Sequence, residues 1–276
     1  MTRFSVIIPT LGRTEVLARL FDSLSRQTVQ DFEVILVDQN RDDRLVTLAA
    51  GRPFPLRRLR VTSQGAARAR NAGLAGAAGE IILWPDDDAW LPPTLLERAQ
   101  GVFAGHPEID AAIGVLIDAR GKPHDRFAPA APQPAGLMDA FTRSAEPVLF
   151  FRRAALERLG GFDPLLGAGA GTPWGAGEGA DLCVRALRAG CRLRLDPILT
   201  VYHARIAVQP EEHAKARTYA RGMGYVIRKN HLPLTFAMRY AATYLRALAW
   251  NALRGRWGDV RYHWERVRGL AEGLLF

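Results

Sequence analysis

Three carboxylates, Asp86, Asp87 and Asp88, stand together in the stretch IILWPDDDAW, residues 81–90. An apolar run precedes them and Trp90 follows. Like charges this close repel, and burying them without compensation costs several kcal/mol. A hard divalent cation relieves that repulsion. Mg2+ takes oxygen ligands, commonly one or two carboxylates together with substrate phosphates. On an extended segment alternate side chains point the same way. The expectation is therefore that Asp86 and Asp88 share one ion while Asp87 points elsewhere.

Elements that would position such a site alternate along the chain. FSVIIPT (4–10), FEVILVDQN (32–40), LRRLRVTS (56–63), EIILWPDD (80–87) and AAIGVLID (111–118) read as strands. Between them, 15–27, 65–79 and 91–107 have helical spacing, with Thr14 as an N-cap for the first. That succession predicts an α/β fold, a mostly parallel sheet with helices on both faces. Ligands of such sheets bind beyond the carboxyl ends of the strands. Pro9-Thr10, Asp38 and Asp86-Asp87-Asp88 all fall at those ends, so the acids face a cleft.

Bulk composition narrows the class. The chain has 276 residues and is 48% hydrophobic, ordinary for a globular protein. Its two cysteines, Cys183 and Cys191, have no metal-ligand spacing, and a reducing, cytoplasmic setting fits them. The N-terminus has too short an apolar run for a signal peptide, and no stretch approaches a spanning helix. The net charge is +9, and residues 205–276 hold 13 basic and 5 acidic groups of it. The body, 1–204, is thus nearly neutral and the tail basic, a balance that attracts anionic lipid or phosphorylated ligands.

The motifs SVIIPTLGR, FEVILVDQN and ARNAGLAGAAGEIILWPDDD, in that order, resemble the opening of a family 2 glycosyltransferase of the GT-A fold. GEGADLCVRALRAGCRLRLDPILTVYH resembles the second half of that domain, so the resemblance covers roughly 3–204. It implies a glycosyltransferase domain over 1–204, with a nucleotide-sugar half at 1–118 and an acceptor half at 137–204. A Pro-rich stretch, 118–136, links the halves, and 205–276 is a basic helical tail. By the same resemblance Pro9 and Thr10 line the nucleotide site, and Asp38 recognises the nucleoside. Arg70 lies near the donor. Asp86 and Asp88 bind Mn2+ or Mg2+ and the donor diphosphate, and His203 reaches the metal or the diphosphate. Asp87 is counted with the donor-binding group as a supporting or solvated residue. Structural alternatives stand beside these roles: Asp38 as a helix cap, Arg70 as a helix-surface residue, His203 as a hydrogen-bonded strand end. Trp84 and Trp90 read as packing residues.

The resemblance also implies an inverting transfer, in which a carboxylate takes the acceptor's proton. The family offers a Glu-Asp pair before a helix. Here Gly179 replaces the Asp, leaving Asp181 first and Glu178 as the alternative; Asp181 is equally a helix N-cap. The glycine-rich stretch 161–179 reads as a loop beside the cleft, with Trp174 either stacking on an acceptor sugar or packing inward. Residues 234–257 read as one helix with Arg239, Arg246 and Arg254 near one face, among Met238, Tyr244, Leu248, Trp250 and other apolar groups. Membrane-interface binding, core cover and dimerisation are its three readings.

The donor expected is a UDP-sugar and the acceptor a glycan or lipid-linked glycan. The protein then works in cell-surface polysaccharide synthesis, with peripheral attachment at the inner face of the cell membrane and no role for nucleic acid. Oligomeric state stays open. A nucleotidyltransferase is the rival enzyme, poorly supported because TLGRTE is not a Gly-rich basic phosphate loop. A membrane-bound scaffold that has lost catalysis is the non-enzymatic rival, for which Gly179 is the best argument.

Overall fold

Strand β1 (Phe4–Thr10) is buried at every residue and forms the centre of a parallel quartet. It pairs with β2 (Phe32–Asp38) on one side and β4 (Ile81–Leu83) on the other, and β3 (Leu56–Arg60) adds to β2. Continuous apolar runs such as SVII and VILV are what strands covered on both faces require. The covering helices are amphipathic. In α1 (Glu15–Ser25), Leu17, Leu20, Phe21 and Leu24 face the core. Thr14 precedes that helix, but its side chain makes no capping bond. Two shorter helices, α2 (Val46–Ala49) and α3 (Ala66–Leu74), complete this half. The computed structural model describes residues 3–124, 128–204 and 212–276.

The sheet continues through β5 (Ala89–Trp90), helix α4 (Leu95–Gly105), β6 (Ala111–Ile117) and the short β7 (Gln133–Pro134). Helix α5 (Leu137–Thr142) and a 3-10 turn at Glu146–Val148 lead to β8 (Leu149–Arg152) and α6 (Arg153–Leu159). After α7 (Glu178–Arg188) comes β9 (Leu193–His203). The strand order is β3-β2-β1-β4-β8-β6-β9-β5, with β7 paired to β9. Strand β8 runs antiparallel to both neighbours, so the sheet is mixed beyond β4. Trp84 is fully buried there, edge-on to Phe151 and Phe162.

Contacts divide the chain into two compact units. The first comprises Met1–Gln64, Arg68–Phe162 and Leu182–Arg205; the second comprises Gly65–Ala67, Asp163–Asp181 and Ile206–Phe276. The glycine-rich stretch therefore groups with the C-terminal helices α8 (Glu212–Lys229), α9 (Leu234–Leu253) and α10 (Trp257–Leu275). Where one helix was expected over 234–257, two helices form. The break falls at Arg254–Arg256, where Gly255 takes a left-handed φ of 64°. Within the expected linker, 125–127 lie outside the described residues, as do 205–211 at the expected start of the tail.

Candidate active site

Strand β4 ends at Leu83, earlier than its sequence suggested, and the three acids follow in a turn closed by Ala89 N–H donating to Asp86 C=O at 3.0 Å. They are not on an extended segment. What brings Asp88 to its partner is the next strand. β5 pairs antiparallel with β9, with Ala89 opposite His203 and Trp90 opposite Tyr202. The Trp90 and Tyr202 rings stack at 5.2 Å, and the Arg19 guanidinium lies 3.2 Å over the Trp90 ring. This ladder fixes His203 beside Asp88, with Nε2 3.2 Å from Oδ1.

One ligand atom each from Asp86, Asp88 and His203 lies within 4.8 Å of the others. The second ring nitrogen of His203, Nδ1, lies 2.8 Å from the Ala204 carbonyl. A carbonyl only accepts, so Nδ1 carries a proton and Nε2 is the atom available to a ligand. This is the usual arrangement of a metal-binding histidine. The two carboxylates suit Mn2+ or Mg2+ in their donor chemistry, and the imidazole favours the transition metal of the two.

Each acid also has a cationic partner from the protein. Arg70, buried on α3, reaches Asp86 at 3.1 Å and lies 3.8 Å from Glu146. Arg13, on the loop after β1, contacts Asp87 at 2.7 Å and Asp88 at 2.5 Å. Thr10 donates its hydroxyl to the other oxygen of Asp87 at 2.7 Å. Asp87 is thus the acid that anchors the turn to the end of β1, rather than a solvated one.

Burial pushes the Asp86 carboxyl up to about 6, against the pull of Arg70 and with help from Glu146. Asp87 is likewise raised by burial. Asp88 is held below its ordinary value by the His203 hydrogen bond, and the same bond raises His203.

Asp38 ends β2 and is fully buried. Arg58 of β3 pairs with it at 2.6 Å, and Asn40 donates both its backbone N–H and its side-chain amide to it. The Asn40 side-chain oxygen, Oδ1, in turn accepts from Gly12 N–H at 2.7 Å. Thr10 lies opposite Asp38 in the β1–β2 register, and Pro9 opposite Val37. Asp38 here organises the two loops at the strand ends; it does not cap a helix.

Glu178 and Asp181 belong to the second unit. Helix α7 starts at Glu178, so Asp181 lies inside its first turn and is not the N-cap. Its Oδ1 receives Lys229 Nζ at 2.8 Å and the Asn230 amide at 2.9 Å, and the residue is fully buried. Lys229 also reaches Asp163 at 2.7 Å. Glu178 is buried against Gly167, where φ is +95° and an added Cβ would lie 2.0 Å from its carboxylate. Trp174 packs inward, stacked on Tyr225 at 4.7 Å.

Residues 5–156 match the family model of glycosyl transferase family 2, more than half of the chain. The chain belongs to that family. As a family 2 glycosyltransferase it is 36% identical over 107 residues to an uncharacterized glycosyltransferase of Haemophilus influenzae, covering 38% of this chain and 36% of the relative. It is 27% identical over 164 residues to the poly(ribitol-phosphate) beta-N-acetylglucosaminyltransferase TarS of Staphylococcus aureus, covering 57% and 29%. The chain thus spans about a third of the length of these curated relatives. Its fold matches that of TarS residues 1–349 in complex with UDP-GlcNAc, with a TM-score of 0.63 and 19% identity over 96% and 91% of the two chains. It also matches the mannosyltransferase PcManGT of Pyrobaculum calidifontis in complex with GDP-Man and Mn2+, with a TM-score of 0.67 and 19% identity over 99% and 87%. A GT-A glycosyltransferase fold follows, and a nucleotidyltransferase reading falls away.

Four residues that shape this site in the glycosyltransferase were not singled out from the sequence: Arg13, Asn40, Arg58 and Glu146. Arg13 carried a signal, because a lone arginine directly after β1 faces the same strand ends as the acids. Arg58 carried a weaker one, an unexpected charge in a strand adjoining an acid-tipped one. Glu146 carried none.

Proposed function

We propose that this glycosyltransferase moves a sugar from a nucleotide-diphosphate sugar, a UDP-sugar by expectation, to a glycan or lipid-linked acceptor. It does so with inversion, in synthesis of cell-surface polysaccharide or glycoconjugate at the cytoplasmic face of the membrane. The observation that supports this most is the convergence of Asp86, Asp88 and His203 at the carboxyl ends of the sheet. Those three would hold Mn2+ or Mg2+. Bound there, the cation supplies Lewis-acid stabilisation of the departing diphosphate.

The chain's own groups do the rest. Arg70 and Arg13 lie against the acids and offer guanidinium donors to diphosphate oxygens. Thr10, Pro9 and the Asp38–Asn40–Gly12 chain shape the nucleoside end. A carboxylate, Asp181 or in its place Glu178, takes the acceptor hydroxyl proton. The acceptor oxygen forms its bond to the anomeric carbon as that carbon's bond to the diphosphate oxygen breaks. Lys229 and Asn230 hold Asp181 in place for that step.

A thermal-shift screen of UDP- and GDP-sugars, with and without Mn2+, tests the reading. One nucleotide-sugar should raise the melting temperature in a Mn2+-dependent way. Absence of any such stabilisation, together with no release of nucleoside diphosphate in the presence of acceptors, would overturn it.

A further inference from the structure

Helices α9 and α10 bury one face between them and turn another outward. Tyr240 and Tyr244 point inward, their hydroxyls bonded to each other, and Arg266 of α10 lies 3.9 Å over the Tyr244 ring. Tyr244 is therefore unavailable for the outer face that its place in the sequence suggested. The outward face of α9 carries Leu234, Met238 and Leu245, spaced at near-whole turns, and Leu253 at its end. Leu253 is 84% exposed. Arg239 and Arg246 are exposed between them, and α9 contains no acidic residue. Arg254, just past its end, lies over the Trp250 ring at 4.0 Å.

The outward stripe of α10 is similar. Trp257, Arg261, Trp264, Arg268 and Leu275 follow steps of three, four or seven residues, and all are exposed. Two of the helix's three acids are already engaged. Glu272 is clamped by Arg217 and Arg221 of α8, and Glu265 pairs with Arg268. Single exposed apolar side chains need no explanation, but a repeated set interleaved with arginine does.

We propose that the outward faces of α9 and α10 form a docking surface for an anionic lipid bilayer. Leucine, methionine and tryptophan side chains enter the interfacial layer while the arginines meet lipid phosphates. Tryptophan and arginine are the residues that suit that boundary. No described helix is long and apolar enough to cross a membrane, so the helices lie in the interface plane. A second copy of the chain is a poorer occupant, because symmetric pairing of this face sets arginine against arginine. The docking surface is independent of which sugar or acceptor the enzyme uses.

The test is vesicle co-sedimentation of the full-length protein. Phosphatidylglycerol and phosphatidylcholine vesicles are compared at low and high salt. Two variants, Arg239→Glu/Arg246→Glu and Trp257→Ala/Trp264→Ala, alter exposed side chains only, and thermal melting checks their fold. The expected result is binding to phosphatidylglycerol that salt weakens, and weakening by about tenfold or more in the charge-reversal variant. The tryptophan variant should lose binding that salt does not restore. The inference is overturned if phosphatidylglycerol vesicles are not bound at low salt, or if phosphatidylcholine binds equally well. Indifference of binding to both variants would overturn it too, as would a lipid-free dimer that the same variants dissociate. Donor binding is measured separately by thermal shift, so failure of docking and failure of the transfer reading are told apart.

Discussion

Asp86, Asp87 and Asp88 sit side by side because each has its own counter-charge or donor: Arg70 for the first, Thr10 and Arg13 for the second, His203 and Arg13 for the third. Asp88→Asn should abolish Mn2+-dependent donor binding while the melting temperature stays within a few degrees, since it removes a ligand but also a like charge. Isothermal titration with donor in Mn2+ decides this, and unchanged metal dependence would sink the metal site. Arg13 shares Asp88 with the expected cation. Arg13→Ala should therefore raise affinity for Mn2+ alone and lower affinity for the nucleotide-sugar in Mn2+. A fall in both would mean that Arg13 only braces the turn. Protons compete with the metal as well. Asp86 titrates at about 6 and His203 above its ordinary 6.5, and both must be deprotonated to act as ligands. Mn2+ affinity should thus fall as pH drops through about 6 and rise as pH climbs past 6.5, by up to about tenfold per pH unit for each proton displaced. A flat profile from pH 5 to 8 would contradict that ligand set. The acids themselves were legible in the sequence as a cluster after an apolar strand. Their partners were less so, since an arginine's reach depends on which loop ends meet in space.

At the scale of elements, a cross-strand register, a glycine and a helix start set the candidate chemistry. The β5–β9 pairing that places Ala89 opposite His203 is a two-residue ladder, too short for a period-2 pattern to announce. The longer strands, by contrast, were legible from their apolar runs to within a few residues. The tail helices were legible as amphipathic; their break was passed over although Gly255 carries a local signal for it, a left-handed turn in which Gly255 N–H donates to the Ala252 carbonyl and Arg256 N–H to the Asn251 carbonyl. Among the carboxylates of α7, Asp181→Asn should retain donor binding and lose at least ~10²-fold in transfer, while Glu178→Gln retains more. The reverse order, seen in the single-turnover rate, would move the base to Glu178. Packing of α10 against α8 depends on small residues. A Cβ on Gly273 would lie 2.0 Å from the Arg221 carbonyl oxygen, and one on Gly269 2.1 Å from that of Arg217. Gly273→Ala should destabilise by about 1–3 kcal/mol, as overpacked sites do. An unchanged denaturation midpoint would show that the helices shift freely.

For the whole molecule, the charge distribution and the helix packing point the same way. The basic excess lies after residue 204, and of the helices that carry it α10 is knit to α8 through Glu272 with Arg217 and Arg221. The C-terminal segment is thus part of a folded unit, and its deletion should lower solubility as well as any lipid binding. The family fold was legible in the order of motifs. The grouping of 163–181 with the C-terminal helices was not, since it rests on contacts between residues far apart in sequence. One feature of the acidic turn reaches beyond the reaction. Because arginine, histidine and threonine side chains already compensate its charges, the fold does not depend on an ion to hold it together. If that turn takes Mn2+ as proposed, newly made chains would mature before the ion arrives, and nutrient supply would set how many of them work at a given moment, not how many survive.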